Sequence, residues 1–149
     1  MGAEPLLPFL VVIRIGSHDH WHWLPPHSEA VTPGIPDKKL VFLLTQSYYK
    51  QLVEAGIHIY EYTPGFIHAK CFASDDKVAT VGTINMDYRS LYLHFENGVF
   101  MYKNDAVMQL KHDMEKTFEI SQRITKEMCQ GNLRKTLTQS VLRLLAPLL

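Results

Sequence analysis

The chain has 149 residues, a length that suits one domain of ordinary size, and 46% of them are hydrophobic while 20% are charged. This composition is typical of a globular protein and excludes a wholly disordered chain. Fifteen basic residues balance fifteen acidic ones, so the formal net charge is zero, and charge gives no reason to expect nucleic acid as a partner.

The N-terminal part combines one apolar run with a long irregular segment. Residues 9–15, FLVVIRI, predict a buried strand. Residues 16–36 contain four prolines and predict a loop. We therefore expect residues 1–31 to be a divergent, poorly ordered segment. No run of about 18 apolar residues is present that would predict a membrane-spanning helix.

Four histidines in this loop raise the question of a metal site. Alternating histidines can ligate zinc or copper, but no cysteine lies nearby to help. We favour an exposed loop over a metal site and expect no bound metal. The four residues are His18, His20, His22 and His27.

The middle and C-terminal parts predict strands that alternate with helices. A helix is expected to begin near Asp37, which can cap it, and to stop at Gly56. Its apolar stripe comprises Leu40, Leu44, Tyr48 and Leu52. Further strands are predicted at 57–62, 66–74, 77–82 and 94–102, with a tight turn at Asp75-Asp76, and helices at 104–123 and 132–145. This order predicts an α/β fold with a mixed β-sheet flanked by helices.

The residues best suited to chemistry lie between Phe66 and Glu96. On a strand, His68 and Lys70 are two residues apart and would share one face. An imidazole and an ammonium on one face can engage a phosphodiester, because the imidazole attacks phosphorus while the ammonium neutralises a nonbridging oxygen. This pair predicts a phosphate site.

Four other residues could complete that site. Thr83 and Asn85 follow the next predicted strand and could donate hydrogen bonds to the same oxygen. Glu96 could accept from the far ring nitrogen of His68 and fix its tautomer, or it could be only a surface acid. Asp75 could act in catalysis or only close the turn between two strands.

These residues and their spacing resemble the phospholipase D superfamily, whose H-x-K-x4-D motif is followed by G-[ST]-x-N. The flanking residues are similar to bacterial cardiolipin synthases of the phospholipase D type. They are PDKKLVF at 36–42, YEYTPGFIHAK at 60–70, NMDYRSLYLHFE at 85–96 and LRLLAPLL at 142–149. The resemblance implies that residues 32–149 form a phospholipase D-like domain, the half of a bilobal fold that carries the second motif.

The resemblance also implies an activity. It implies phosphatidyl transfer from phosphatidylglycerol, or from related phospholipids, through a phosphohistidine and without a cofactor. It assigns catalysis to His68, Lys70, Asp75, Asn85 and Glu96, and phosphate binding to Lys70, Thr83 and Asn85. It implies a peripheral location on an anionic membrane surface, at the cytoplasmic side of the bacterial cell membrane.

Only one H-x-K motif occurs in the chain, whereas the family enzymes carry two. We therefore expect a half-enzyme that pairs with a separate first-motif half or with a second copy of itself, or else an inactive fragment. The alternative enzyme class is a homodimeric phosphodiesterase or nuclease with two copies of the motif across a two-fold axis. The neutral charge and the flanking sequences weigh against a nuclease.

The C-terminal helix carries an apolar stripe and an excess of basic residues. From Arg123 onward, five basic residues accompany the single acid Glu127. This pattern suits an anionic membrane surface, but the stripe could instead pack on the domain, which we favour slightly. The stripe comprises Leu133, Leu137, Val141, Leu144, Leu145 and Leu148.

Overall fold

The computed structural model describes residues 12–15, 28–36, 38–130 and 133–145. In these ranges the elements are, in chain order, β1 (Val12–Ile15), β2 (Glu29–Pro33), α1 (Lys39–Glu54), β3 (His58–Tyr62), β4 (Cys71–Ser74), β5 (Val78–Gly82), α2 (Tyr88–Tyr92), β6 (Gly98–Tyr102), α3 (Asp105–Glu119), β7 (Gln122–Arg123) and α4 (Leu133–Leu145).

The described strands form one mixed sheet with the order β6-β5-β4-β1-β2-β3-β7. The pairs β1–β4 and β2–β3 are parallel, and the other neighbours are antiparallel. Helix α1 makes the crossover from β2 to β3, since parallel neighbours cannot be joined by a tight hairpin. The predicted α/β fold with a mixed sheet is confirmed.

Helices cover both faces of the sheet. On one face, Leu44 and Leu52 of α1 pack with Ile59 of β3 and Leu142 of α4. On the other face, Val107, Met114 and Phe118 of α3 pack with Val31, Cys71, Ala73 and Ala79 of the sheet. Such burial of apolar side chains on both faces provides most of the stabilisation of the domain.

The predicted limits of α1 are partly confirmed. The helix ends as expected at Gly56, which has a φ of 89° and donates its N–H to Val53 O at 3.1 Å, while Ile57 donates to Leu52 O at 3.0 Å. Asp37, the expected cap, lies outside the described residues. Of the predicted apolar stripe, Leu44, Tyr48 and Leu52 are buried, whereas Leu40 is 56% exposed and the packed face begins with Val41.

The loop predicted at 16–36 is wrong for residues 29–33, which form β2 between β1 and β3. Ala30 and Val31 are almost fully buried, and Pro33 is tolerated because it is the last residue of the strand. Residues 9–11 and 16–27 lie outside the described residues, and the poor order of the 1–31 segment stays a prediction.

Three other element limits differ from the prediction. The strand predicted at 66–74 is confirmed only over Cys71–Ser74, where register pairs Cys71 with Val12 of β1. The strand predicted at 94–102 begins at Gly98, after the unpredicted short helix α2. Helix α3 ends at Glu119 rather than near 123 because the chain then adds an edge strand to β3, with Ile124 donating to Ile59 O at 2.8 Å.

Candidate active site

Three chain segments that carry predicted site residues meet at one end of the sheet. Neighbouring strands among β4, β5 and β6 are antiparallel. The start of β4, the end of β5 and the start of β6 therefore lie at the same end of the sheet. Gly82 donates its N–H to Lys70 O at 3.1 Å, and Thr83 donates to Asn97 O at 2.8 Å. These bonds hold residues 68–70, 83–85 and 96–97 side by side.

Thr83 and Glu96 interact directly at this edge. The Thr83 hydroxyl donates to Glu96 Oε2 and accepts the N–H of Asn97 at 3.0 Å. The hydrogen bond from Thr83, followed by one from Ser90 and by the electrostatic effects of His94 and Lys70, lowers the pKa of Glu96 below its ordinary value. The carboxylate is therefore ionised at neutral pH.

Lys70 is a buried cation in this cluster. Its side chain is only 7% exposed, and its Nζ donates to His68 O at 3.2 Å. Burial lowers the pKa of Lys70, while the nearby negative charges of Glu96 and Asp87 act in the opposite direction. Two carboxylates thus help to keep a desolvated ammonium charged, which is the form that can stabilise a phosphate.

Asp87 is a member of the cluster that the sequence analysis missed. Its Oδ1 accepts the N–H of Ser90 at 2.6 Å, so it caps the N-terminus of the short helix α2. The signal available in the sequence is Asp87 itself, since an Asp directly before a helical segment is typical of a helix N-cap. Asp87 therefore fixes α2 and adds a negative charge near Lys70.

The imidazole of His68 lies on the exposed side of the same segment. It stacks on Phe66 with the ring centroids 5.9 Å apart and the planes 10° from parallel. It also borders a small cleft with Pro33, Phe42 and Ile67. Among the described residues Glu96 bonds to Thr83 rather than to the His68 ring, so the His68–Glu96 pair stays a prediction.

Asn85 brings an unused hydrogen-bond acceptor to this end of the sheet. Its Oδ1 is buried and has no hydrogen-bond partner among the described residues. Leaving such a group unpaired costs about 1–3 kcal/mol, and functional sites are where native proteins accept that cost. A hydroxyl or water donor from outside the domain would relieve it.

Asp75 does not join these residues. It lies with Asp76 in the turn after β4, and both have positive φ values, 54° and 56°, which confirms the predicted tight turn. The turn closes with the N–H of Lys77 donating to Ser74 O at 3.1 Å. Strand β4 begins next to Lys70 and leads away from the site, so Asp75, which follows its last residue, lies roughly 15 Å from Lys70. The structure thus favours the turn-closing interpretation over a catalytic one.

Gly82 is required by the close approach of β5 and β6. A Cβ placed there would meet the Asn97 carbonyl oxygen at 2.2 Å and Gly98 Cα at 2.6 Å. We expect Gly82→Ala to lower the free energy of unfolding by roughly 3 kcal/mol, because backbone must move to relieve the contact. Urea unfolding measures this change.

Gly65→Ala is the matched control for that substitution. Its Cβ would meet nothing nearer than a Tyr62 ring carbon at 4.0 Å, so its effect should stay within about 0.5 kcal/mol. Equal losses in the two variants would contradict the steric account.

The candidate site lies in a region of the chain that matches a known protein family. A family model described as "Cardiolipin synthase, PLD-like domain" matches residues 25–119, a range that contains His68, Lys70, Thr83, Asn85 and Glu96. The chain belongs to this cardiolipin synthase family. The phospholipase D-like resemblance proposed from the motif is confirmed at the level of the family.

Individual relatives agree with this membership. The chain is 42% identical over 120 residues to a cardiolipin synthase of Geobacillus kaustophilus, a match that covers 80% of this chain and 24% of the relative. It is 40% identical over 118 residues to cardiolipin synthase 2 of Bacillus anthracis, covering 78% and 23%. An uncharacterized protein of Streptococcus mutans is 49% identical over 120 residues, covering 80% and 26%. The chain thus spans about a quarter of the length of these relatives.

The described part of the chain offers neither a metal cluster nor a membrane-spanning helix. Within residues 12–15, 28–36, 38–130 and 133–145, no three His, Cys, Asp or Glu side chains cluster in a way that could hold a metal ion. The histidines at 18, 20, 22 and 27 lie outside these ranges. No helix in the same ranges is long and apolar enough to span a bilayer.

Proposed function

We propose that this domain supplies one half of a phosphatidyl-transfer site that acts on phosphatidylglycerol, with His68 as the nucleophile. The observation that carries the proposal is that a buried ammonium, Lys70, and the Thr83–Glu96 pair lie at one end of the sheet, beside the exposed His68. Asn85 follows the end of β5 by three residues, and its Oδ1 has no hydrogen-bond partner among the described residues. A family match to cardiolipin synthases supports the lipid substrate.

The proposed reaction has two displacements. A ring nitrogen of His68 attacks the phosphorus of one phosphatidylglycerol, the bond from phosphorus to the glycerol headgroup oxygen breaks, and a general acid protonates the leaving glycerol. The hydroxyl of a second phosphatidylglycerol then attacks the phosphatidyl-histidine and gives up its proton to a general base. Cardiolipin forms and His68 is released.

The residues around His68 have separate roles in this proposal. Lys70 neutralises the nonbridging oxygens, on which charge grows as the new bond forms. Asn85 donates its amide N–H to the same oxygens, and Thr83 fixes the carboxylate of Glu96. In this proposal the exposed imidazole turns from Phe66 towards Glu96, which then holds the tautomer that attacks.

A second motif-bearing half is part of the proposal, since the general acid must come from another group. Support comes from the large apolar side chains exposed next to the site, on the segment before β6 and on the edge strand β6 itself. They include Leu93, Phe95, Val99 and Phe100, each more than 60% exposed. A surface of this kind suits a protein interface. In assays with this chain, a separate polypeptide or another copy of the chain would supply the second half.

The nucleophile can be tested by trapping the intermediate. We expect the full chain, incubated with its pairing half and phosphate-labelled phosphatidylglycerol in mixed micelles, to retain acid-labile, base-stable label, as a phosphohistidine does. His68→Ala should lose at least about 90% of the label. His112→Ala, which removes an exposed histidine of α3 on the opposite face of the sheet, should keep it. Equal labelling of the wild type and His68→Ala would refute the assignment.

We further propose that the domain works at the cytoplasmic face of the cell membrane as a peripheral protein, with phospholipids as its partners and no nucleic acid. The zero net charge supports the exclusion of nucleic acid.

A further inference from the structure

The apolar stripe of helix α4 is exposed over the part that the structure describes. Leu137, Val141 and Leu144 are each more than half exposed, so the expectation that the stripe packs on the domain is wrong for these three residues. The other predicted members, Leu133, Leu145 and Leu148, have side chains outside the described set.

Phe66, by contrast, is an exposed aromatic side chain with a defined partner at the candidate site. It is 59% exposed, and its ring lies against the imidazole of His68, with the centroids 5.9 Å apart and the planes 10° from parallel. Aromatic pairs at this separation attract each other beyond the apolar area that they bury. Phe66 also borders the small cleft that Pro33, Phe42 and Ile67 line. Its stacking partner is thus the proposed nucleophile rather than a residue of the core.

The backbone of His68 is anchored, whereas its side chain is exposed. Ile67, the residue before it, packs against the core cluster that contains Val31 and Cys71. The ammonium of Lys70 donates to His68 O at 3.2 Å. The side chain of His68 faces solvent, and exposed side chains exchange rotamers within picoseconds to nanoseconds. The orientation of the imidazole is therefore a rotamer equilibrium on a fixed backbone.

The stacked orientation lacks the contact that the proposed reaction needs. Among the described residues, neither ring nitrogen of His68 has a hydrogen-bond partner, and Glu96 bonds to Thr83 instead. In the proposed reaction Glu96 accepts from one ring nitrogen, so that the other presents its lone pair to phosphorus. Because the ring leaves Phe66 to make that bond, the contact with Phe66 and the contact with Glu96 compete for the same imidazole.

We propose that Phe66 is a positioning residue that holds the imidazole of His68 in a resting orientation, so that the stack sets the fraction of His68 available for attack. The inference rests on the proposed function for the role of His68 as the nucleophile. The stack stabilises the resting orientation and not the attacking one. It therefore lowers the population of the attacking orientation, and with it the rate at which the phosphohistidine forms.

The stack can be observed by NMR without any chemistry. In the full chain, isotopically labelled at its histidines, the ring-proton signals of His68 are those missing from His68→Ala. The ring current of Phe66 moves these signals upfield, so Phe66→Leu should shift them downfield, towards those of an exposed histidine without an aromatic neighbour. Phe66→Tyr keeps the aromatic face and should leave them close to their wild-type positions.

The kinetic consequence is the initial rate of His68 labelling by phosphatidylglycerol in mixed micelles, with the pairing half present. We expect Phe66→Leu to raise this rate about two- to tenfold at saturating substrate, with little change in KM, because the attraction within one aromatic pair shifts an equilibrium by about that factor. Phe66→Tyr should label within about twofold of the wild-type rate.

Leu40→Ala is the matched control, since it trims an apolar side chain of nearly equal exposure, 56%, on α1. It should change neither the His68 signals nor the rate. Unmoved His68 signals in Phe66→Leu would overturn the proposal. A labelling rate in Phe66→Leu that is unchanged or lower would do the same, because the stack would then not compete with attack. Failure of the proposed function gives a different result, namely label in the wild type that His68→Ala does not reduce.

Discussion

Replacing Lys70 with methionine is expected to reduce phosphatidyl transfer by about 10²–10³-fold without loss of stability. In the proposed reaction the ammonium stabilises charge on the phosphate, and removal of one such group in a desolvated site costs about 2.7–4 kcal/mol of transition-state stabilisation. Methionine has a similar length and no charge to desolvate. Since burial already lowers the pKa of Lys70, the free energy of unfolding should stay equal or rise.

The measurements for Lys70→Met are initial rates in mixed micelles and urea unfolding of the same preparation. Lys77→Met, at an exposed position of the turn after β4, is the control and should change neither. If Lys70→Met lost stability and activity together, Lys70 would be a structural residue of the cluster, and the phosphate role would fail.

The pH dependence of the wild type gives a second check on Lys70. Its pKa is lowered in the folded state, so between that value and the ordinary lysine value the unfolded chain binds more protons, and stability rises with pH across this window. Activity should fall as the pH rises through the same window, because the ammonium of Lys70 becomes neutral. Lys70→Met should remove this part of the stability profile.

Fold class followed from the sequence, but strand limits did not. Alternating strand and helix patterns predicted the mixed sheet, because side-chain periodicity reports which face of each element is buried. The proline content of residues 16–36 predicts a loop, yet residues 29–33 form β2, which has partners on both sides and ends at Pro33. Residues 66–70 have strand-like composition, but the ladder with β1 starts only at Cys71. Pairing partners, which are non-local, decided both cases.

The candidate site, too, was predictable from the sequence only in part. Motif spacing placed Lys70, Thr83 and Glu96 at one sheet edge, and the hydrogen bonds there agree with it. The spacing does not show that Asp75, five residues after Lys70, lies at the far end of β4. That position depends on where the β4–β5 hairpin turns. Nor does the spacing identify Asp87, whose charge acts on Lys70 only through the position of α2.

The largest expected effect concerns the second half of the site. As a monomer the chain is expected to make cardiolipin about 10²–10⁴-fold more slowly than when it is paired with a second motif-bearing half, which is the usual cost of losing a general acid. In the proposed reaction His68 attacks phosphorus, and the leaving glycerol needs a proton from another group. Product formation at a series of dilutions, with size exclusion of the same samples, measures this dependence. Full turnover by a strictly monomeric sample, abolished by His68→Ala, would contradict it.

Mixing experiments then identify the partner half. Wild-type chain is combined with an equal amount of His68→Ala at constant total concentration. If two copies of this chain form the site, random exchange leaves about one quarter of the dimers with both histidines, and activity should fall to about one quarter. If a separate first-motif chain supplies the acid, each wild-type copy works independently and activity should fall to about one half. The exposed apolar residues around β6 could contact either partner, so this surface does not distinguish a homodimer from a split enzyme. The activity of the mixture, relative to the wild type at the same total concentration, does.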